Sequence, residues 1–261
     1  MTIDRVAAFQ RERAALLSFC AELSQSQWRA DSAAAGWRVQ DVVAHLGASC
    51  RALFTPAAIT LLTTRDIERA NNIPVDSRRH WHWSQVLAEY ERWSGRTLRA
   101  ASLVARSPAR ALRTRLGELG SFTVGLVLPG ALVFDHHTHL RHDIAHAIGA
   151  PAPGTDAGRM SVVVEWMLAV LANQLRAAPP SWLRAPVCLE LYGDGGGRWL
   201  IRPDGTIATA AGDCGPVASI RGNVNSFPVW ATKRVDWRTS DIAISGNQEL
   251  LTTLLDSMNI V

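Results

Sequence analysis

Lysine is almost absent from this 261-residue chain, and its net positive charge is small. Lys233 is the only lysine, and 27 Lys+Arg against 23 Asp+Glu leave a net charge of +4. No more than two Lys or Arg residues are adjacent, so a dedicated nucleic-acid-binding protein is not expected. With 48% apolar and 19% charged residues the chain is also unlike a disordered protein.

Cysteines are few and scattered, and no CxxC pair is present. A chain of this length with four cysteines does not have a disulfide framework, and reduced, buried cysteines in the cytoplasm are expected. These residues are Cys20, Cys50, Cys188 and Cys214.

Long apolar runs are also missing. The longest stretch, residues 122–134, is too short to span a membrane and contains Gly125, Pro129 and Gly130. The N-terminal residues alternate acidic residues with arginine, which is not typical of a signal peptide. We therefore expect a soluble, cytoplasmic protein with no membrane partner.

Apolar residues at helical spacing predict a bundle in the first two thirds of the chain. The predicted helices cover residues 4–24, 39–63, 83–106, the segment from just after Pro129-Gly130 to Gly149, and 160–175. His80 and His82, beside Trp81 and Trp83, are interpreted as structural or pocket-lining.

The pattern changes after Pro179-Pro180, where short runs typical of strands alternate with turn residues. Strands are predicted at 186–193, 198–203, 206–210, 217–220 and 242–244, with a turn at 213–215 and helices at 226–232 and 248–258. The sequence thus predicts an α+β protein with a helical domain at 1–178 and a smaller α+β domain at 179–261.

Five of the eight histidines lie between positions 136 and 146. At about 100° per residue, one helical arc would contain Asp135, His139, His142, Asp143 and His146, opposite an apolar face. Such a face is either solvated or able to bind a divalent ion.

Acid and imidazole side chains four residues apart on a helix can chelate one ion. The pairs Asp135/His139, His139/Asp143 and His142/His146 all have this spacing. A third ligand must come from another helix, and His45 in the second predicted helix is the candidate.

Residues 37–46, WRVQDVVAHL, resemble the W-x-V-x-D-x-x-x-H-L motif of the mycothiol-dependent maleylpyruvate isomerase family. This resemblance implies a DinB-like four-helix bundle in which His45 is a metal ligand. The family's other two ligands form a Glu-x-x-x-His pair on the fourth helix, which Asp135 and His139 match with Asp in place of Glu.

The C-terminal segment resembles the sterol-carrier-like domain of the same family. In that domain a Leu-x-Gly-Arg element contributes an arginine to the active site. The corresponding residues here are 231–234, ATKR, so the resemblance implies Arg234, with Arg221 as the second candidate.

The resemblance implies an enzyme that binds a divalent metal, with Zn²⁺ expected, and uses mycothiol as a cosubstrate. It would conjugate mycothiol through its sulfur to a small electrophile (S-transfer) or catalyse cis-trans isomerisation of that electrophile. Asp143 or His142 would orient a ligand or move a proton. A metal-dependent hydrolase and a non-enzymatic lipid-binding protein with a degenerate site are the alternatives. A monomer or homodimer that binds no nucleic acid is expected.

Overall fold

The computed structural model describes residues 3–210 and 218–260, and the chain divides into two compact units, residues 1–154 and 155–261. The predicted turn at 213–215, including Cys214, lies outside the described residues. The border between the two units lies one helix before the sequence-predicted boundary at 178/179, because the helix Ala157–Ala177 contacts elements of the second unit. The boundary of the folding domains stays a prediction.

Four long helical segments form the first unit. They are α1 (Arg5–Ala21), α3 (Val39–Ala52), α6 (Trp83–Ala105) and a segment made of α8 (Leu132–Thr138) and the π-helical residues His139–Ala145. We call this last segment the histidine helix. Helices α1 and α3 both contact α6 and the histidine helix.

Aliphatic and aromatic side chains from all four segments form the core of this unit. Fully buried members are Leu16, Leu46, Tyr90 and Ile144, and Trp28 from the connection after α1 packs with them. The helices approach closely where Gly47 faces Tyr90, since a Cβ atom at Gly47 would lie 3.2 Å from the Tyr90 Cα. This packing fixes the position of α3 relative to α6.

The connections of the first unit contain short elements that the sequence pattern does not indicate. These are α2 (Gln25–Arg29), α4 (Ala57–Thr63), α5 (Ile67–Asp76), the hairpin β1 (Arg113–Arg115) and β2 (Ser121–Thr123), α7 (Val124–Leu126), the 3₁₀ turns Pro108–Ala111 and Gly117–Leu119, and a π-helical turn Val127–Ala131.

The prediction of one helix over 39–63 is wrong. Helix α3 ends at Ala52, and α4 follows at an angle of 97°. Pro56 precedes α4 and disfavours a helical conformation at Thr55, which explains the break. Among the described residues no single helix has the length and apolar character to cross a membrane, although α3 and α4 together pass that test as a bent pair.

The second unit packs helices against a five-stranded sheet. It begins with α9 (Ala157–Ala177), and its strands are β3 (Val187–Tyr192), β4 (Gly197–Ile201), β5 (Ile207–Thr209), β6 (Ala218–Asn223) and β7 (Ile242–Ser245). The order is β5-β4-β3-β6-β7, with β3 and β6 parallel and the other pairs antiparallel. Helices α10 (Phe227–Trp230) and α11 (Gln248–Ser257) and a 3₁₀ turn Trp237–Thr239 complete the unit.

The predicted fold class, a helical N-terminal part followed by a smaller α+β part, is confirmed. The prediction for the cysteines is only partly right. Cys20 and Cys50 are free and buried, and burial raises the pKa of each thiol to about 12. Cys188 is disulfide-bonded, so it is not the reduced residue that the sequence predicts.

Candidate metal centre

A histidine from α3 and two residues of the histidine helix meet inside the first unit. The potential ligand atoms of His45, Asp135 and His139 all lie within 4.8 Å of one another. Among the described residues this is the one group of three or more His, Cys, Asp or Glu side chains placed closely enough to hold a metal ion. Two nitrogen donors and one carboxylate oxygen are a ligand set that suits Zn²⁺.

The polar contacts within this cluster favour a neutral His45 beside an ionised Asp135. The His45 Nε2 atom lies 3.8 Å from the Asp135 Oδ2 atom. Burial lowers the pKa of His45, although Asp135 opposes this effect. Burial by itself would raise the pKa of Asp135, but the neighbouring imidazoles of His45, His139 and His136 together outweigh it and lower the pKa. A neutral imidazole and a carboxylate are the protonation states that bind metal.

Asp143 fixes the orientation of His139. The His139 Nδ1 atom lies 2.6 Å from the Asp143 Oδ2 atom, and the Asp143 side chain is only 1% exposed. With Nδ1 donating to this carboxylate, Nε2 of His139 is the ring nitrogen available to a metal. The histidine is therefore held in the tautomer and orientation that ligation requires.

Trp37 packs against both histidines of the cluster. Its ring centroid lies 5.1 Å from that of His45 and 6.3 Å from that of His139. The Trp37 Nε1 atom donates to Asn72 Oδ1 at 2.8 Å, so α5 helps to position this indole. Sequence reasoning missed Asn72, since α5 carries no motif that points to the site.

The start of α3 is held by a network of charged groups around the buried Asp41. The Asp41 carboxylate accepts hydrogen bonds from the backbone N–H and side chain of Arg38 and from Arg79. Asp41 lies one turn before His45 on the same helix. The aspartate of the W-x-V-x-D-x-x-x-H-L motif therefore caps the helix that carries the ligand and does not itself join the cluster.

The other histidines of the 136–146 segment do not join the cluster. His142 is half-buried with its ring 6.2 Å from that of His137, and His146 is exposed. The prediction that they share an arc with Asp135 and His139 is wrong, because it assumes 100° per residue through His139–Ala145, which is π-helical and has wider turns.

His136 and His137 are buried on the inner side of the histidine helix. The His136 ring contacts Phe9 and Tyr90, its Nδ1 atom donates to the Leu132 carbonyl oxygen at 2.7 Å, and burial lowers its pKa to about 4. His136 is therefore a neutral core residue.

A buried ion pair joins the histidine helix to α1. The Arg141 Nη1 atom donates to the Glu12 Oε2 atom at 2.8 Å, and the Glu12 side chain is fully buried. Arg141 also donates to the backbone carbonyls of His137, Pro153 and Gly154. These contacts hold the π-helical turn in place and involve none of the three candidate ligands.

Arg234, the predicted arginine of the C-terminal part, lies in the second unit. It is exposed in the turn after α10, and its Nη1 atom donates to Thr232 Oγ1 at 2.9 Å. Its functional role stays a prediction.

Comparisons with known proteins agree with the geometry of this site. A family model described as the mycothiol maleylpyruvate isomerase N-terminal domain matches residues 9–145, a range that contains all three candidate ligands. The comparison with curated proteins gives no match.

Two solved structures are similar to the chain over nearly its whole length. Both are described as a mycothiol-dependent maleylpyruvate isomerase, and one carries a histidine-to-alanine substitution. Each is 14% identical and covers 92% of this chain and 91% of its own, with TM-scores of 0.54 for the substituted form and 0.55 for the other. At this identity the likeness shows a shared fold.

The family predicted from residues 37–46 is thus confirmed, together with the prediction of an enzyme. Because the family model covers more than half of the sequence, the chain belongs to the mycothiol maleylpyruvate isomerase family.

Proposed function

We propose that this protein is a metal-dependent enzyme that uses mycothiol to isomerise a small electrophilic substrate or to form a conjugate with it through the mycothiol sulfur. The observation that supports this proposal is the convergence of His45, Asp135 and His139 within 4.8 Å in the part of the chain that matches the family model. The proposed metal is Zn²⁺, held by these three side chains, and mycothiol is the proposed cosubstrate.

The donor set fits such an ion. His45 is buried and kept neutral, Asp135 is kept ionised, and its side chain is 29% exposed, so solvent reaches the cluster at the carboxylate. Catalytic zinc sites typically have three protein ligands and an open position. A Zn²⁺ ion bound there favours the deprotonated form of a thiol ligand and so supplies a nucleophile at neutral pH.

The chain's own residues orient and enclose this site. Asp143 holds the His139 ring so that Nε2 faces away from the hydrogen bond, and the Trp37 indole covers one side of both imidazoles. Because Asp143 is buried and bonded to His139, we assign it an orienting role. Arg234 is our candidate for binding a substrate carboxylate, on the family resemblance alone.

Metal content and thiol dependence together test this function. The wild-type protein should bind one equivalent of Zn²⁺ and isomerise maleylpyruvate, the substrate in the family's name, only when mycothiol is present. His45→Ala should lose both properties, whereas His146→Ala, which changes an exposed histidine outside the cluster, should keep them.

Each alternative has its own outcome. Hydrolysis of an ester without any thiol would replace the proposal with a hydrolase on the same scaffold. If the purified protein holds no stoichiometric metal, and the wild type and His45→Ala bind a lipid equally well, the protein is a non-enzymatic binding protein.

A further inference from the structure

The low net charge of the chain conceals a strongly basic segment. Between Glu91 and Glu118 the sequence has no acidic residue and seven arginines. All seven side chains are exposed, and we call them the arginine surface: Arg92, Arg96, Arg99, Arg106, Arg110, Arg113 and Arg115.

No member of the arginine surface forms an ion pair with a carboxylate of the described residues. Arg92 and Arg96 lie over the Trp93 ring, at 5.5 and 4.6 Å from its centroid. The last three members donate to backbone carbonyl oxygens, as Arg110 does to Ala105 at the end of α6. Their positive charges are therefore not neutralised within the fold.

Four of these arginines form one stripe along α6. Arg92, Arg96, Arg99 and Arg106 follow one another at intervals of four, three and seven residues, so they occupy a single helical face about 20 Å long. The buried residues of α6 lie on the opposite face: Val86, Tyr90, Ser94, Thr97 and Ala101. The stripe thus points away from the bundle core.

Two exposed leucines interrupt the arginine surface. Leu103 lies within the stripe, and with 71% exposure it is the most exposed large apolar side chain of the described residues, while Leu112 is 62% exposed. Phosphate groups alone would be bound by the arginines, and aliphatic side chains would add nothing. Binding to a membrane surface, in contrast, gains from buried apolar area as well as from electrostatic attraction to anionic lipids.

We infer that the arginine surface binds anionic phospholipid membranes peripherally, with the arginines contacting the headgroups and Leu103 and Leu112 entering the acyl boundary. A segment with seven unneutralised positive charges complements an anionic leaflet, which attracts basic residues near its surface. The expectation of no membrane partner rested on the lack of a long apolar run and of a signal peptide, and neither bears on this local surface.

Vesicle flotation of the full-length protein tests this inference. The wild type should bind vesicles that contain phosphatidylglycerol, bind pure phosphatidylcholine vesicles much more weakly, and dissociate as salt is added. The triple variant R96Q/R99Q/R106Q should partition about 100-fold more weakly onto the anionic vesicles. Leu103→Ser should weaken partitioning about tenfold.

A matched variant separates this surface from net charge. R29Q/R65Q/R202Q removes the same charge from exposed positions elsewhere and should bind the anionic vesicles nearly as well as the wild type. Circular dichroism and Zn²⁺ binding should be unchanged in all variants, which shows that they fold.

Three results would overturn the inference: no binding to phosphatidylglycerol vesicles, equal losses in the two triple variants, or no effect of Leu103→Ser. If duplex DNA or RNA binds in competition with the vesicles and independently of Leu103, the surface is a nucleic-acid site instead.

Discussion

Asp143→Asn is the substitution that most directly tests how the metal centre is organised. The carboxylate of Asp143 is 1% exposed and lies 2.6 Å from the His139 Nδ1 atom. Asparagine has nearly the same shape but no charge, and its amide can donate a hydrogen bond to Nδ1. That hydrogen bond favours the tautomer in which Nε2 of His139 carries the proton, so metal binding costs the free energy of shifting the proton back to Nδ1.

The size of the effect follows from the position of Asp143 behind a ligand. Removal of such a partner typically lowers metal affinity 10- to 100-fold, which corresponds to about 1.4–2.8 kcal/mol of binding free energy. We expect the Zn²⁺ affinity of Asp143→Asn to fall within this range, because His45 and Asp135 remain as ligands. A complete loss would require a ligand itself to be removed.

The assay is a competition titration of Zn²⁺ against a chromophoric chelator, combined with urea unfolding of the metal-free protein. Glu12→Gln is the control, since Glu12 is buried and pairs with Arg141, two residues from Asp143 on the same π-helical turn. Breaking a buried ion pair costs about 3–5 kcal/mol of stability. The folded Glu12→Gln protein should nevertheless keep wild-type Zn²⁺ affinity.

The orienting role of Asp143 would be refuted by an affinity within twofold of wild type for Asp143→Asn. It would also be refuted if Glu12→Gln lowered the affinity equally, because general loosening of the histidine helix would then explain both results.

Two further predictions concern stability. Burial lowers the pKa of His136 from 6.5 to about 4, so the unfolded chain takes up a proton before the folded protein does. The stability that neutral His136 contributes is complete above pH 6.5, and roughly 3 kcal/mol of it is lost as the pH falls toward 4. In the metal-free protein, the decrease in the free energy of unfolding between pH 6.5 and 4 should be smaller in His136→Leu and unchanged in His146→Gln. Gly47→Ala should lower the free energy of unfolding by about 1 kcal/mol in urea titrations, because the new Cβ meets the Tyr90 backbone at 3.2–3.3 Å and this overpacking costs more than the helix propensity that alanine gains. An unchanged or higher midpoint would show that α3 and α6 move apart enough to accept the methyl group.

The parts of the site that depend on local helix geometry could be predicted from the sequence. Asp135 and His139 are one turn apart. Residues 135–138 lie in α8 and His139 follows directly, so both side chains lie on the side of the helix that faces His45. His45 is a candidate from its place in the second predicted helix, and the motif at 37–46 supports it, because periodicity alone does not show which helix of a bundle faces another. The strands of the second unit also follow from turn residues and alternation, as in β3 and β4.

Other features depend on tertiary structure and leave no pattern in the sequence. Asn72 reaches Trp37 from a short helix that contains Pro74, a residue that argues against any helix there. The arginine surface is visible in the sequence only when charges are counted locally, since the acidic residues elsewhere cancel it in the total. Its stripe becomes evident once α6 is known to bury the opposite face.

The π-helical turn accounts for both the correct and the wrong predictions about the histidines. Residues up to His139 follow the α-helical period, so the Asp135/His139 pair could be found from spacing. Beyond His139 the turns widen, which leaves Asp143 buried against His139 while His142 turns toward His137. π-Helical turns are rare in proteins, and a large share of them lie at functional sites. Of the three pairs with the same spacing, the widened turn leaves Asp135 and His139 as candidate ligands and places Asp143 against His139.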